Sequence, residues 1–337
     1  MPVTAWADTT NDSEAPDMTR SSRPGHRYLP VLALTAVTAL TVSACGGDSA
    51  DPDSGSADAS SSGESRITES WGLEPVQSVV DLVPAEWQDT PIPNAVYNDY
   101  PPQDYLEGDT LVGIQIDFMT ALSEVMGVEF SNESIGNFDS LIPGLQSGRY
   151  EISSADFGIT ADRLGAVDFV SQFAIGTGFA VKEGSDITIS DASDLCGHSI
   201  GVIAGSYFID QVEAASDACE ADGDDPIELQ TYPNDGARTL AVTNGRADIT
   251  ATGADALAFT IATDNVALVL QDYVYEPTVQ GIAIADGSEL GPALLAGIQE
   301  LVTDGTYADI LEKWDISSAG FDSADEVTLY TDASQAP

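Results

Sequence analysis

The chain has 337 residues, of which 43% are hydrophobic, so it can bury a large core and is expected to form two lobes or domains. Fifty-six Asp and Glu residues against ten Lys and Arg give a formal net charge of -46 at pH 7. A surface with that charge repels phosphate backbones, which excludes nucleic acid as a partner. Two interpretations of the acidity stay open, namely adaptation to saline surroundings and drift of a secreted surface.

Residues 1–44 are interpreted as a signal peptide. Three arginines precede an apolar run at 29–42, which is too short for a comfortable membrane span. The run ends in VSAC, which resembles the bacterial lipobox and predicts a lipid on Cys45. An ordinary signal peptide and a membrane anchor are the alternatives. The acidic first seventeen residues are unusual for a signal peptide, so Met18 is an alternative start.

The segment 45–70 is rich in Gly, Ser, Asp and Ala and predicts a flexible, solvated tether. A lipid at its first residue would hold the following domain just off the outer face of the cell membrane. The protein is therefore expected to be extracytoplasmic and lipid-anchored.

The remaining cysteines form an even pair once Cys45 carries a lipid. In an oxidising compartment Cys196 and Cys219 predict a disulfide, which would stabilise the fold by about 3 kcal/mol on the chain-entropy model. A metal site is the weaker alternative, because His26 leaves with the signal peptide and only His198 remains. We therefore predict neither a metal nor a cofactor.

From about Trp71 onward, patterns typical of strands alternate with patterns typical of helices. LVGIQID at 111–117 predicts a strand, and FMTALSEVMG at 118–127 predicts a helix with its terminal glycine as C-cap. A short helix around 140–146 and a strand near 150–154 follow.

The second half repeats this arrangement. A strand at 199–203 leads through Ala-Gly-Ser into a helix, and a further helix ends at 244–245 before another strand. Two helices near the end of the chain are separated at 304–305. Strands separated by helices predict a parallel sheet and hence an α/β fold.

Five blocks in the chain carry a family resemblance: FDSLIPGLQSGRYEI, ITADRLGAVDF, DLCGHSIGVIAGS, NGRADI and DGTYADILEKW. In order and spacing they resemble the extracellular solute-binding protein family 3, the polar amino-acid substrate-binding lipoproteins of ABC importers, over about residues 84–314. The cysteine pair looks like that of actinobacterial members. The resemblance implies an α/β, two-lobed periplasmic-binding-protein-like (type II) fold with a hinge and an interlobe cleft.

The family architecture implies lobe one at 75–181 plus 280–325, lobe two at 182–279, and a tail at 326–337. It also implies a monomeric binding protein, not an enzyme, that captures an amino acid or a related small carboxylate. Such a protein closes its lobes over the ligand and delivers it to the permease subunits of an ABC importer.

The resemblance also assigns binding residues. Arg163 stands where the family keeps the arginine that grips the ligand's α-carboxylate, and its planar fork suits that partner. The alternative for Arg163 is an exposed helix residue paired with Asp162 or Asp168, and for Phe138 it is a plain core residue. The further candidates for ligand binding are Tyr97, Tyr100, Phe138, Asp156, Gly158, Thr160, Ser206, Tyr207 and Asp255.

The site departs from the family at one important position. Many members place a carboxylate that takes the ligand's α-ammonium where this chain has Gly253. Either Asp255, two residues further on, or Asp156 from lobe one is expected to replace it; failing both, the ligand is not a standard α-amino acid. The aromatic candidates and the lack of a second arginine favour a cationic, aromatic or N-modified ligand over glutamate or aspartate.

Two other functions compete with import. A ligand sensor or surface interaction protein would use the same closing lobes without a permease. A cyclohexadienyl dehydratase-like enzyme is the weaker alternative, because the folded part has a single histidine, His198, and no visible catalytic set.

Overall fold

The computed structural model describes residues 67–337, so the predicted signal peptide, Cys45 and most of the tether lie outside the described residues. The helices of this part are α1 Gln77–Val80, α2 Ile114–Met126, α3 Leu141–Gln146, α4 Phe208–Asp222, α5 Asp235–Thr243, α6 Ala254–Thr263, α7 Gly291–Asp304 and α8 Thr306–Lys313. The strands are β1 Ile92–Tyr97, β2 Asp99–Tyr100, β3 Asp104–Glu107, β4 Thr110–Val112, β5 Phe130–Ile135, β6 Ile152–Gly158, β7 Val167–Lys182, β8 Ser199–Ile203, β9 Glu228–Tyr232, β10 Ile249–Gly253, β11 Leu268–Ala285 and β12 Leu329–Tyr330. None of the helices between 67 and 337 has both the length and the apolar character needed to cross a bilayer.

Nine of the strands described between 67 and 337 form one sheet in the order β5-β1-β6-β11-β7-β10-β8-β9, with β12 against β7. Strand β1 runs parallel to β5 and β6, and β8 runs parallel to β9 and β10. Strand β11 runs antiparallel to β6 and β7. The prediction of an α/β fold is confirmed, but the sheet is mixed, because two long antiparallel strands cross its centre.

Those two long strands, β7 and β11, connect two halves of the sheet. Up to Ile175, β7 pairs with the later part of β11, and from Thr177 it also pairs with β10. We name the half with β1, β5 and β6 lobe one, and the half with β8, β9 and β10 lobe two. The pairing of β11 with β7 shifts register between Tyr275 and Thr278, next to the point where β7 gains β10 as a second neighbour. Such an irregularity is expected at a hinge. The lobe boundaries given above stay a prediction, since both strands belong to each half.

Each lobe has its own apolar core. In lobe one, Phe118 and Leu122 of α2 pack with Leu294 and Ile298 of α7. In lobe two, Val202, Phe208 and the cysteines share a smaller cluster. The predicted disulfide is confirmed there, with 1.99 Å between the Sγ atoms of Cys196 and Cys219.

The predicted strand at 111–117 is wrong. Strand β4 ends at Val112 and helix α2 already begins at Ile114. Gly113 between them has φ +134°, and a Cβ there would lie 2.7 Å from the backbone carbon of Gln103. Only glycine fits this conformation and close approach, so the chain turns where the apolar alternation continues. At the other end of α2, Gly127 is the left-handed C-cap, as predicted.

Candidate functional site

A small cavity lies between the two lobes. Its volume is about 20 Å³, enough for about one water molecule. Its walls are Tyr97, Tyr100, Phe138, Asp156, Ile203, Ser206, Tyr207 and Phe208. Four of these residues come from lobe one and four from the segment 203–208 at the start of α4 in lobe two. The structure therefore brings six of the sequence-predicted candidates into one wall.

Arg163 lies beside this cavity in a short 3₁₀ turn, Arg163–Gly165, that follows β6. Its side chain is buried, with 9% of the residue exposed, and it donates from Nη1 to the Gly158 carbonyl (2.7 Å) and from Nη2 to the Gly205 carbonyl (2.8 Å). Burial lowers the pKa of the guanidinium to about 10, so the group is charged at neutral pH. The alternative of an exposed residue paired with Asp162 or Asp168 is wrong, because both Nη atoms bond to backbone carbonyls.

Aromatic rings support the guanidinium. Its Cζ lies 5.7 Å from the ring centroid of Phe138 and 5.5 Å from that of Phe157, within the range of cation–π contacts. The two rings lie 4.9 Å apart, and Tyr97 meets Phe138 edge-on at 5.7 Å. Phe138 thus belongs both to the lobe-one core and to the cavity wall, so it is a core residue and remains a candidate for ligand contact.

Gly158 and Thr160 act through their immediate neighbours. A Cβ on Gly158 would lie 2.8 Å from Cγ of Tyr207, so the tyrosine ring of lobe two lies directly on this strand of lobe one. Thr160 accepts a hydrogen bond at Oγ1 from the Arg163 backbone N–H (3.4 Å) and does not line the cavity. Ser206 lines the cavity, but its hydroxyl donates to the Ile203 carbonyl of its own turn (2.6 Å).

Two buried carboxylates lie where the lobes meet, Asp156 in the cavity wall and Asp255 against Gln103 of lobe one. Asp156 of lobe one has φ +50°, is 8% exposed, and within the described residues its Oδ1 makes no hydrogen bond. Burial raises its pKa well above the ordinary value, Asp255 raises it further and Arg163 lowers it. Asp255 of lobe two accepts at Oδ2 from Gln103 Nε2 (2.6 Å), and burial raises its pKa to about 6.

Gly253 has no side chain, so neighbouring groups occupy the space beside its Cα atom. A Cβ at this position would lie 2.6 Å from Asp255 Oδ1 and 2.7 Å from the Tyr100 hydroxyl oxygen. The Gly253 N–H donates to that hydroxyl oxygen (3.1 Å), and Thr252 Oγ1 donates to it as well (3.2 Å). The Asp255 carboxylate therefore occupies the volume that a longer side chain at 253 would fill.

Hydrogen bonds from lobe one to lobe two close the cleft. Besides the bonds of Arg163, Tyr100 and Gln103, Asp99 Oδ2 accepts from the Gly236 N–H (3.2 Å) at the start of α5. This places a carboxylate of lobe one at the N-terminus of a lobe-two helix, where it interacts favourably with the helix dipole.

Sequence reasoning missed Asp99, Gln103 and Asp104. Asp104 is fully buried, and burial together with nearby Asp156 raises its pKa well above the ordinary value. The pattern PPQDY gives no cue to this burial, because charged residues are usually exposed. His198 is the histidine on which the enzyme alternative would depend. Its Nδ1 lies 4.0 Å from Oδ2 of Asp248, and neither residue lines the cavity.

The model of the family described as bacterial extracellular solute-binding proteins, family 3, matches residues 92–317. Over 254 residues the chain is 27% identical to the arginine-binding protein ArgT of Corynebacterium glutamicum, covering 74% of this chain and 83% of that one. It is 26% identical over 219 residues to the L-cystine-binding protein TcyJ of Escherichia coli K12, covering 64% and 79%.

Among solved structures, an ancestral arginine-binding protein bound to arginine superimposes with a TM-score of 0.59 at 29% identity, covering 66% of this chain and 97% of that one. An ancestral arginine-binding protein bound to glutamine gives a TM-score of 0.60 at 28% identity, covering 67% of this chain and 97% of that one. These relatives are amino-acid-binding proteins, and members of the family are extracytoplasmic. The chain belongs to the bacterial extracellular solute-binding proteins, family 3.

Proposed function

We propose that this protein is the extracytoplasmic substrate-binding component of an ABC importer. It captures an amino acid or a related small carboxylate in the interlobe cleft and delivers it to a membrane permease. The proposal includes a lipid on Cys45 that tethers the monomer to the outer face of the cell membrane.

The observation that carries the proposal is the position of Arg163. A charged guanidinium, buried at the boundary of two lobes over two aromatic rings, suits a ligand carboxylate that both lobes then enclose. Its bond to the Gly205 carbonyl crosses the cleft, so a ligand in this position would link the arginine to lobe two.

The surrounding charge supports a ligand with a cationic group. Asp156 lines the cavity from lobe one and Asp255 of lobe two lies at the lobe boundary. Burial raises the pKa of each, so a ligand ammonium or guanidinium bound near them would relieve the unfavourable burial of both charges. Asp255 fills the space beside Gly253 and is our candidate for the α-ammonium. Names of relatives that bind arginine favour a basic amino acid.

Ligand entry requires the lobes to separate. The cavity of about 20 Å³ is far smaller than an amino acid, and the Tyr207 ring lies on Gly158. The register shift in β11 at the hinge provides a place where such opening can occur.

Thermal-shift screening of the purified protein against amino acids, betaines, polyamines and small carboxylates tests the proposal. A ligand that binds only the folded form raises the melting temperature by mass action. We expect basic amino acids to give the largest shift and Arg163→Ala to abolish it.

Arg149→Ala is the matched control, because that arginine is exposed and pairs with Glu133 on lobe one, away from the cavity. It should keep the shift. No stabilisation by any carboxylate, with an intact folding transition, would contradict the proposed function and would favour the sensor or surface interaction alternative.

A further inference from the structure

The chain continues beyond the residues matched by the family model, and residues 318–337 form what we name the C-terminal strap. The strap packs on lobe one. Val327 is 3% exposed within the lobe-one core, and Gln299 Nε2 of α7 donates to its carbonyl (3.4 Å). This part of the chain is thus a fixed part of lobe one.

The strap also pairs with β7. The Ser171 N–H donates to the Thr328 carbonyl (3.0 Å), and the Thr328 N–H donates to Ser171 Oγ (2.9 Å). Leu329 and Tyr330 then continue antiparallel beside the part of β7 at 169–170. The strap covers the lobe-one edge of β7, which begins directly after the turn that carries Arg163.

The end of the strap reaches the turn that carries Arg163, which we name the arginine turn. Its final turn, Ala333–Gln335, contacts the turn Arg163–Gly165. Tyr330 and Ala336 pack against the apolar cluster that contains Leu164 and Phe157. Phe157, a member of that cluster, is one of the two rings under the guanidinium. The strap thus contacts the turn itself and packs on the apolar cluster to which this ring belongs.

Apart from the strap, the turn Arg163–Gly165 is held by local hydrogen bonds, including one to the Thr160 hydroxyl, and by the burial of Leu164. It is a three-residue 3₁₀ helix, held by backbone bonds from Leu164 to Thr160 (3.1 Å) and from Ala166 to Arg163 (2.9 Å). A binding group keeps its direction only when the residues behind it are fixed.

We propose that the C-terminal strap is a positioning element for Arg163, which holds the arginine turn and its aromatic floor so that the guanidinium points into the cleft. The inference rests on the proposed role of Arg163 as the group that binds the ligand carboxylate. Tyr330 is the positioning residue that the test addresses.

Neighbouring residues of the strap provide a matched pair of variants. Tyr330 packs on the arginine-supporting cluster, whereas Leu329 packs on the helix side of lobe one, against Gly291 of α7. We expect Tyr330→Ala and Leu329→Ala both to lower the melting temperature, because both lose apolar contacts. Tyr330→Phe keeps the ring and should behave as the unchanged protein.

Binding is measured by calorimetry with L-arginine and with L-argininamide, which lacks the carboxylate. We expect Tyr330→Ala to bind L-arginine about tenfold more weakly, because a binding group loses its direction when its supporting residues are removed. It should also lose much of the preference for L-arginine over the amide. Leu329→Ala should keep both. An unchanged preference in Tyr330→Ala would overturn the proposal.

Hydrogen exchange of the peptide covering 160–168, recorded without added amino acid, gives a second readout. Tyr330→Ala should accelerate exchange there, and Leu329→Ala should not. Equal exchange in the two variants would overturn the strap proposal even if the protein binds L-arginine. If the unchanged protein binds neither probe, the basic amino acid is wrong as ligand, while the exchange comparison still decides whether the strap holds the turn.

Discussion

The two faces of the cleft differ in the kind of group they present. Lobe one presents charged and aromatic side chains, chiefly Arg163, Asp156 and Phe138. Lobe two meets them with the rings of Tyr207 and Phe208 and with the Gly205 carbonyl, and adds the carboxylate of Asp255. On the proposed function, lobe one binds the ligand carboxylate through Arg163, whereas each lobe offers one buried carboxylate to the ligand's cationic group.

The largest expected effect comes from preventing lobe two from reaching lobe one. In Gly158→Ala the new methyl group would overlap the Tyr207 ring. Overpacking costs about 1–3 kcal/mol, which predicts an apparent ligand affinity about five- to 150-fold lower. Calorimetry with L-arginine measures the affinity, and small-angle scattering measures lobe separation. Gly165→Ala is the control, because nothing lies within 4 Å of a Cβ at that position. Equal L-arginine affinities of the two variants would show that the contact of Tyr207 with Gly158 does not limit lobe closure.

The second largest effect distinguishes the roles of the two carboxylates, Asp156 and Asp255. Asp156→Asn removes a buried charge and keeps the left-handed backbone, which Asn adopts readily. We expect higher stability in denaturant unfolding at pH 7, because burial opposes the charged form of this carboxylate, and about tenfold weaker L-arginine binding. Asp255→Asn is the comparison from lobe two. If it weakens L-arginine binding more than Asp156→Asn does, the ammonium is recognised chiefly by lobe two.

Lowering the pH should change stability and binding in opposite directions. The pKa of Asp255 is about 6 in the folded protein against 3.8 ordinarily, so the folded form binds more protons between these values. The free energy of unfolding therefore falls as pH rises through this window, and lowering the pH from 7 to 5 should add about 1 kcal/mol through this group. L-Arginine binding should weaken over the same range. Denaturant unfolding at several pH values checks this, and Asp255→Asn should flatten the gain.

The smallest effect concerns the edge of the cleft. Asp99→Asn removes a charge from the N-terminus of α5 and keeps a hydrogen-bond acceptor for the Gly236 N–H. We expect about a twofold loss of apparent L-arginine affinity at low salt, because an exposed charge at a helix end contributes about 0.3–1 kcal/mol. The difference should disappear in high salt; if it persists there, it has another origin.

The sequence predicted the family, the disulfide and most of the elements, because these depend on periodicity, cysteine number and short blocks. It also placed Arg163 at the cleft, since that block stands at a fixed spacing. It did not predict the turn at Gly113, because apolar alternation continues across it and only the close approach of Gln103 reveals the break. Nor did it predict the packing of the C-terminal strap, whose composition resembles that of an ordinary acidic tail.

The buried carboxylates were the hardest part to foresee. Local patterns assign Asp to the surface, whereas Asp104 and Asp156 are buried by contacts from segments distant in the chain. Asp255 was proposed only as a replacement for the residue absent at Gly253. Its hydrogen bond to Gln103 depends on how the lobes meet, which no local pattern encodes.

The sharing of β7 and β11 between the lobes has a consequence for how the chain folds. Lobe two needs one continuous stretch for β8, β9 and β10, whereas the lobe-one sheet places β11 between β6 and β7 and adds β12 from near the end of the chain. Lobe one thus contains the contacts of greatest sequence separation, and such contacts form slowly. During synthesis, the lobe-one half of the sheet therefore stays incomplete until β12 has emerged.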